Sequence, residues 1–171
     1  MNLSLRFIDE HDIEDIARLA NDRDIAKTMA NLPYPYTLTD AKTWLSYVNR
    51  TESEHVFAIA DKKHFMGIIG LVHERDNNRA ELGYWLGKKY WNKGFASGAV
   101  EMILGYAFGV LNVNKVYAQA FGTNTASHKV LEKNGFVREG CLKDHYVRMG
   151  KTHDVIYYGL QKTDVKDDTK A

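Results

Sequence analysis

The chain has 171 residues, enough for one domain with a sizeable core. Hydrophobic residues make up 44% and charged residues 26%, which excludes a wholly disordered protein. With 23 Lys and Arg against 22 Asp and Glu the formal charge is +1, so no global field recruits nucleic acid or an anionic membrane, and an anionic ligand needs a local site.

In chain order, Leu3, Leu5 and Phe7 alternate with polar residues and predict a short strand. Asp12 then precedes Ile13, Ile16, Ala17 and Ala20 at helical spacing, with Asp15 in the partner position of a cap. Both prolines fall in Asn31-Leu32-Pro33-Tyr34-Pro35-Tyr36 and predict a loop. Thr37 and Asp40 have capping-box spacing before a second helix carrying Ala41, Trp44, Leu45 and Val48. Val56 to Ala60, Phe65 to His73 and Ala80 to Leu86 read as strands, and the short polar turns between them favour an antiparallel meander.

Gly94 opens a long helix with Ala96, Val100, Ile103, Ala107 and Leu111 on one face. The stretch Phe95 to Val113 is apolar enough to suggest a membrane span, but Glu101 and several glycines interrupt it, so a buried helix is expected. A strand (Lys115 to Phe121), a helix (about Thr125 to Asn134) and two strands (about Val137 to His145 and Thr152 to Leu160) complete the order. Gly135 is placed to stop that last helix in a left-handed conformation, with Phe136 packing back on it. Residues 1–162 therefore read as one mixed α/β domain and 163–171 as a polar, flexible tail. The single Cys141 cannot form an internal disulfide, and the N-terminus lacks the pattern of a signal peptide, so a cytoplasmic setting is expected.

The segment with the most chemistry is the strand end, lysine-rich loop and helix start from Leu86 to Ala96. A helix N-terminus presents unpaired amides and a positive dipole end, which suits a phosphate or pyrophosphate. Gly94 and Ala96 let backbone approach such a ligand. No dinucleotide fingerprint is present, because the run reads Gly94-Phe95-Ala96-Ser97-Gly98, and Gly150-Lys151-Thr152 leads into a strand. The histidines form no metal-binding pattern, so no metal is expected. A second segment, Asn124 to Phe136, is by itself a capped helix with a glycine stop.

Together the two segments resemble the GNAT acyltransferase superfamily, whose acyl-CoA loop has the form Arg/Gln-x-x-Gly-x-Gly/Ala. The matching run is Trp91-Asn92-Lys93-Gly94-Phe95-Ala96, followed downstream by Asn124, Ser127 and Glu132 to Phe136. Leu82 to Leu86, Glu139-Gly140, Asp154 and Tyr158 point to the branch resembling ribosomal-protein N-terminal acetyltransferases. The resemblance implies a single mixed, mostly antiparallel sheet of about seven strands flanked by four or more helices, splayed between the fourth and fifth strands. It also implies acetyl-CoA as cosubstrate and direct attack of an amine on the thioester.

Carried onto this chain, the resemblance assigns the loop amides from Asn92 through Lys93, Gly94 and Phe95 to Ala96 to the pyrophosphate. Backbone of Trp85, Leu86 and Gly87 would pair with the pantetheine arm, and Asn124 and Ser127 would contact the donor. Glu81 is the expected general base, with Glu74 in reserve, and Ser127 would stabilise the leaving thiolate. Many relatives carry a tyrosine seven residues after the Asn, where this chain has Leu131. Tyr34, Tyr36, Tyr84 and His145 are the expected acceptor-side residues. The leading acceptor is the α-amine of a protein or peptide N-terminus. About one-tenth of such an amine is neutral at pH 7, far more than of a lysine. A small amine such as a polyamine or aminoglycoside is the alternative, and a non-catalytic acyl-CoA sensor is a further one. Dimers are common in the branch, and the sequence places no interface.

Overall fold

The computed structural model describes residues 3–165. Strand β1 (Ser4–Phe7) is followed by α1 (Ile13–Ala20), α2 (Arg23–Ala26) and α3 (Leu38–Arg50). The meander β2 (Glu54–Ala60), β3 (Phe65–Glu74) and β4 (Arg79–Leu86) comes next. Then come α4 (Phe95–Gly109), β5 (Lys115–Phe121), α5 (Thr125–Lys133), β6 (Val137–Arg148) and β7 (Lys151–Gln161). The expected order holds, with the four-residue α2 added and β6 running on to Arg148. Of the expected tail, Lys162–Asp164 form a 3-10 turn and residues 166–171 lie outside the described residues.

One seven-stranded sheet has the order β1-β2-β3-β4-β5-β7-β6. Every adjacent pair is antiparallel except β4 with β5, because α4 carries the chain across the sheet between them. Strand alternation sends Phe57, Ile59, Ile69, Leu71, Leu82, Val116 and Ala118 to one face, where α4 and α5 cover them. Val56, Ala58, Ile68 and Trp85 go to the other face, beneath α1 and α3. The apolar stretch from Phe95 is thus core: Ala99, Val100, Ile103 and Ala107 are buried, and no helix among the described residues is long and apolar enough to cross a membrane.

The first helical segment is capped differently from expectation. Asp9 is the capping residue and Asp12 its partner, with Asp9 N–H donating to Asp12 Oδ2 at 3.1 Å. Arg6 also grips Asp12 with both terminal guanidinium nitrogens, at 2.6 and 2.8 Å, and Asp12 is only 4% exposed. A buried charge needs such a partner, which the linear spacing of Asp12 and Asp15 does not reveal. Asp15 pairs with Arg18 instead.

The Thr37–Asp40 capping box forms as expected, with Asp40 N–H donating to Thr37 Oγ1 at 3.2 Å. Thr37→Ala should cost about 1 kcal/mol, the usual worth of an N-cap, read as a shift of the denaturant midpoint at constant slope. At the end of α5, Gly135 takes φ 84°. Phe136 N–H returns to Leu131 O and Gly135 N–H to Glu132 O, the paired bonds of a Schellman stop, with Phe136 buried.

Candidate active site

The site begins where two strands part. β4 and β5 are in register only from Arg79 opposite Lys115 to Leu82 opposite Ala118. Beyond that, β4 stays paired with β3 through Leu86, while β5 follows β7 through Phe121. One edge of β4 from Gly83 onward is left open, a fork able to take an extended chain as an added strand.

Strand geometry decides which backbone groups face the fork. Gly87 N–H donates to Met66 O of β3 at 2.8 Å, so alternation also turns the main-chain groups of Trp85 toward β3. Those of Tyr84 and Leu86 face the open side. The Leu86 carbonyl there accepts the Trp91 indole N–H at 2.8 Å, which pins the following loop. Of the expected pantetheine-pairing run Trp85 to Gly87, only Leu86 faces the fork. Tyr84 supplies the unengaged pair of groups. The Trp85 side chain is buried against Phe65 beneath α1 and α3.

The loop then turns through Asn92 at φ 58° and Gly94 at φ 82° into α4, whose N-terminus no side chain caps. Nothing lies within 4 Å of where a Gly94 Cβ would stand. Open space before uncapped amides at the positive end of a long helix fits a pyrophosphate. Lys93, in the same loop, donates from Nζ to Lys89 O at 2.9 Å. Lys88 is engaged elsewhere: it pairs with Asp24 of α2, holding that carboxyl down at about 2, with help from Lys27. Across the fork, Asn124 caps α5 by accepting Ser127 N–H at 3.2 Å, which leaves its side-chain amide nitrogen for a ligand.

Glu81 is the last residue but one of the paired run, at the crotch of the fork. Gln119 Nε2 donates to its Oε1 at 2.9 Å, and Tyr117 Oη lies 3.2 Å from its Oε2. A phenol has one proton, and Tyr117 stands closer to Glu74 Oε1, at 2.5 Å. Glu74 also accepts from Arg79 at 2.9 Å and from Asn77, and these donors, Tyr117 foremost, hold its carboxyl down at about 2. Arg79 therefore serves Glu74 and not Glu81. Glu54 stands across the sheet on the same face, since both it and Glu81 pair with Val72. Burial, and in addition the Glu81 charge, push the Glu54 carboxyl up, against a hydrogen bond from Tyr47 at 3.2 Å.

Tyr117 and Gln119 were not expected from the sequence. The available signal was the alternation Lys115, Tyr117, Gln119 in a central strand whose other face is apolar. The expected acceptor residues are dispersed. Tyr34 is 46% exposed, whereas Tyr36 is 6% exposed and packs in the core beneath α1 and α3, its phenol pushed up to about 12 mainly by burial. Tyr84 points to the face opposite Glu81, because residues three apart on a strand face opposite ways. His145 is exposed on the β6–β7 hairpin. That hairpin does meet the 31–36 loop: Arg148 donates to Ala26 O at 2.9 Å and also to Leu32 O.

A strand fork beside an uncapped helix N-terminus and a carboxylate at the crotch define an acyl-CoA-dependent acyltransferase fold. The chain belongs to the GNAT acetyltransferase family, whose acetyltransferase (GNAT) domain model matches residues 2–137. It is 32% identical to the uncharacterized N-acetyltransferase p20 of Bacillus licheniformis, over 94% of this chain and 93% of that one. It is 39% identical to YdaF of Bacillus subtilis, provisionally named a ribosomal N-acetyltransferase, over 56% of this chain and 53% of that one. The crystal structure of spermidine N-acetyltransferase from Vibrio cholerae in complex with CoA and spermine superposes with a TM-score of 0.87. That match has 25% identity and covers 95% of this chain and 96% of that chain. The chain is an acetyl-CoA-dependent N-acetyltransferase acting on an amine acceptor.

Proposed function

We propose that the acceptor is a primary amine on a small polycation of the polyamine class, and that Glu81 is the base that takes its proton. The observation that carries this reading is the pair Glu54 and Glu81, both half-buried on one face of the sheet and each aligned with Val72 of the strand between them, with burial first and the Glu81 charge in addition pushing the Glu54 carboxyl up. A single-charged α-amine can answer only one of them. A diamine places a reacting nitrogen at Glu81 and a second ammonium toward Glu54, relieving the repulsion. That second ammonium also lowers the pKa of the reacting amine, so more of it is neutral and able to attack. The full-length likeness to a protein crystallised with spermine supports the same class.

Of the two carboxylates weighed as base, Glu81 is favoured by position and by chemistry. It lies at the crotch of the fork and accepts only from the neutral Gln119 amide at 2.9 Å and, at 3.2 Å, from Tyr117, whereas Glu74 accepts from Asn77, from the Arg79 guanidinium and from Tyr117 at 2.5 Å. A carboxylate whose acid form titrates near 2 accepts a proton poorly. The donor would lie with its pyrophosphate at the amides from Asn92 to Ala96 and its pantetheine arm along Tyr84 and Leu86. Acetyl-CoA supplies the activated acetyl group. The amine nitrogen forms its bond to the carbonyl carbon, and the Tyr84 N–H, on the open edge, is placed to polarise the carbonyl oxygen.

The test is CoA release from acetyl-CoA with spermidine, simple diamines, monoamines and peptides beginning Ser, Ala or Thr, with acetylated products identified by mass. Turnover with di- and polyamines is expected. Glu54→Gln should raise KM for the diamine about tenfold and leave monoamine KM unchanged. Turnover confined to the peptides, with mass on their α-amines, would replace this acceptor by a protein N-terminus.

A further inference from the structure

We propose that Tyr84 is a positioning residue for acetyl transfer: its phenolic hydroxyl donates to Ser127 Oγ and so turns the serine proton into the fork, toward the departing sulfur. The proposal rests on the reading of the fork as the seat of the thioester.

Three observations meet at this point. Tyr84 lies on the stretch of β4 that has parted from β5, with its own main-chain groups on the open edge. Its side chain goes to the face opposite Glu81 and packs against the α4–α5 core, where Oη stands 2.7 Å from Ser127 Oγ. Ser127 is meanwhile held from its backbone, because its N–H donates to the Asn124 cap. The serine is thus fixed on two sides, and the direction of the hydroxyl bond determines what it can do.

Each hydroxyl has a single proton. If Ser127 donated to Tyr84, its proton would be occupied and the sulfur would meet lone pairs. A phenol is the stronger acid and the better donor of the two, so the bond runs from Tyr84 to Ser127. Burial, the dominant effect, pushes the Tyr84 phenol up to about 12, so it remains a protonated donor throughout the working pH range. One turn further along α5, Leu131 is fully buried and has no proton to offer.

The step balances without a covalent enzyme intermediate. The N–C bond forms, the nitrogen proton passes to Glu81, and the C–S bond breaks with its electron pair on sulfur. The Ser127 O–H hydrogen-bonds the nascent thiolate, and released CoA takes its proton from solvent. Tyr84 neither ionises nor touches the donor sulfur. It orients the group that does.

The experiment compares Tyr84→Phe, Ser127→Ala and the double variant with acetyl-CoA and with its selenium analogue, whose selenolate is a far weaker base. Tyr84→Phe should lower kcat about tenfold, keep KM for acetyl-CoA within about twofold, and add nothing to Ser127→Ala in the double variant. With the selenoester the loss should largely vanish, since the leaving group no longer needs the hydrogen bond. A loss that persists with selenium, adds in the double variant, or appears as raised KM with lowered thermal stability would assign Tyr84 to packing and overturn the proposal. Because these readouts concern the leaving group, a failure of Glu81 as base would register separately, in the acceptor-side pH profile.

Discussion

Glu81→Gln is expected to lower kcat by about 10²–10³-fold, within the range that a positioned general base contributes. Glutamine nearly matches the shape of glutamate but cannot take a proton. The Gln119 contact, 2.9 Å in the native chain, can be kept through the amide oxygen. Fold and donor site should be untouched, so acetyl-CoA should still raise Tm in the variant, as mass action requires of any ligand of the native state. The activity that remains should rise with pH, following the fraction of acceptor amine already neutral, whereas the native enzyme should level off. Glu74→Gln is the control: it removes an ion pair with Arg79 at the surface and should change kcat by less than about threefold. Equal losses in both variants would mean that the charge of the face, and not a proton acceptor at the crotch, sustains the rate.

Gly67→Ala is expected to destabilise the fold by about 3 kcal/mol or more, a fall in Tm of roughly 6–12 °C for a chain of this size. A Cβ at Gly67 would stand 2.2 Å from Trp85 O and 2.8 Å from Leu86 Cα. Both are backbone atoms of the neighbouring strand, so no rotamer change relieves the clash and β4 itself has to shift. The displaced segment carries the open edge of the fork and the carbonyl that pins Trp91. Affinity for acetyl-CoA should therefore fall with stability. Gly105→Ala is the contrasting case. Nothing lies within 4 Å of its Cβ position in the middle of α4, and the change should stabilise by about 0.5–1 kcal/mol through helix propensity alone. The paired measurement separates steric necessity from glycine content.

Local rules made much of this protein legible in one dimension. The Thr37–Asp40 box, the glycine stop at Gly135 and the apolar, β-branched runs of β2 to β4 between short polar turns act over a few residues, and they appear where the sequence puts them. The loop from Asn92 to Ala96 is local in the same sense, and the geometry of a helix start follows from the residues that form it. The arrangement around Glu81 is not local. Glu54, Glu81 and Gln119 come from three strands and share one face only through the register of the sheet. The same holds for Asp12, whose buried carboxylate depends on Arg6 arriving from β1.

Tyr36 and Tyr84 show the limit most directly. Both are tyrosines in segments associated with the site, and both were expected on the acceptor side. One is core beneath α1 and α3, and the other faces Ser127 across the sheet from the base. Which face a strand residue takes follows from parity once the strand is known. Which face holds the acceptor follows only when the helices have covered the rest. Sequence alone therefore determined the larger elements, their order and the uncapped helix start at Gly94, because these rest on interactions a few residues apart. The tertiary structure alone decided that Glu81 stands at the fork beside Gln119 and that Tyr84 meets Ser127 on the opposite face, because those depend on contacts between strands and helices far apart in the chain.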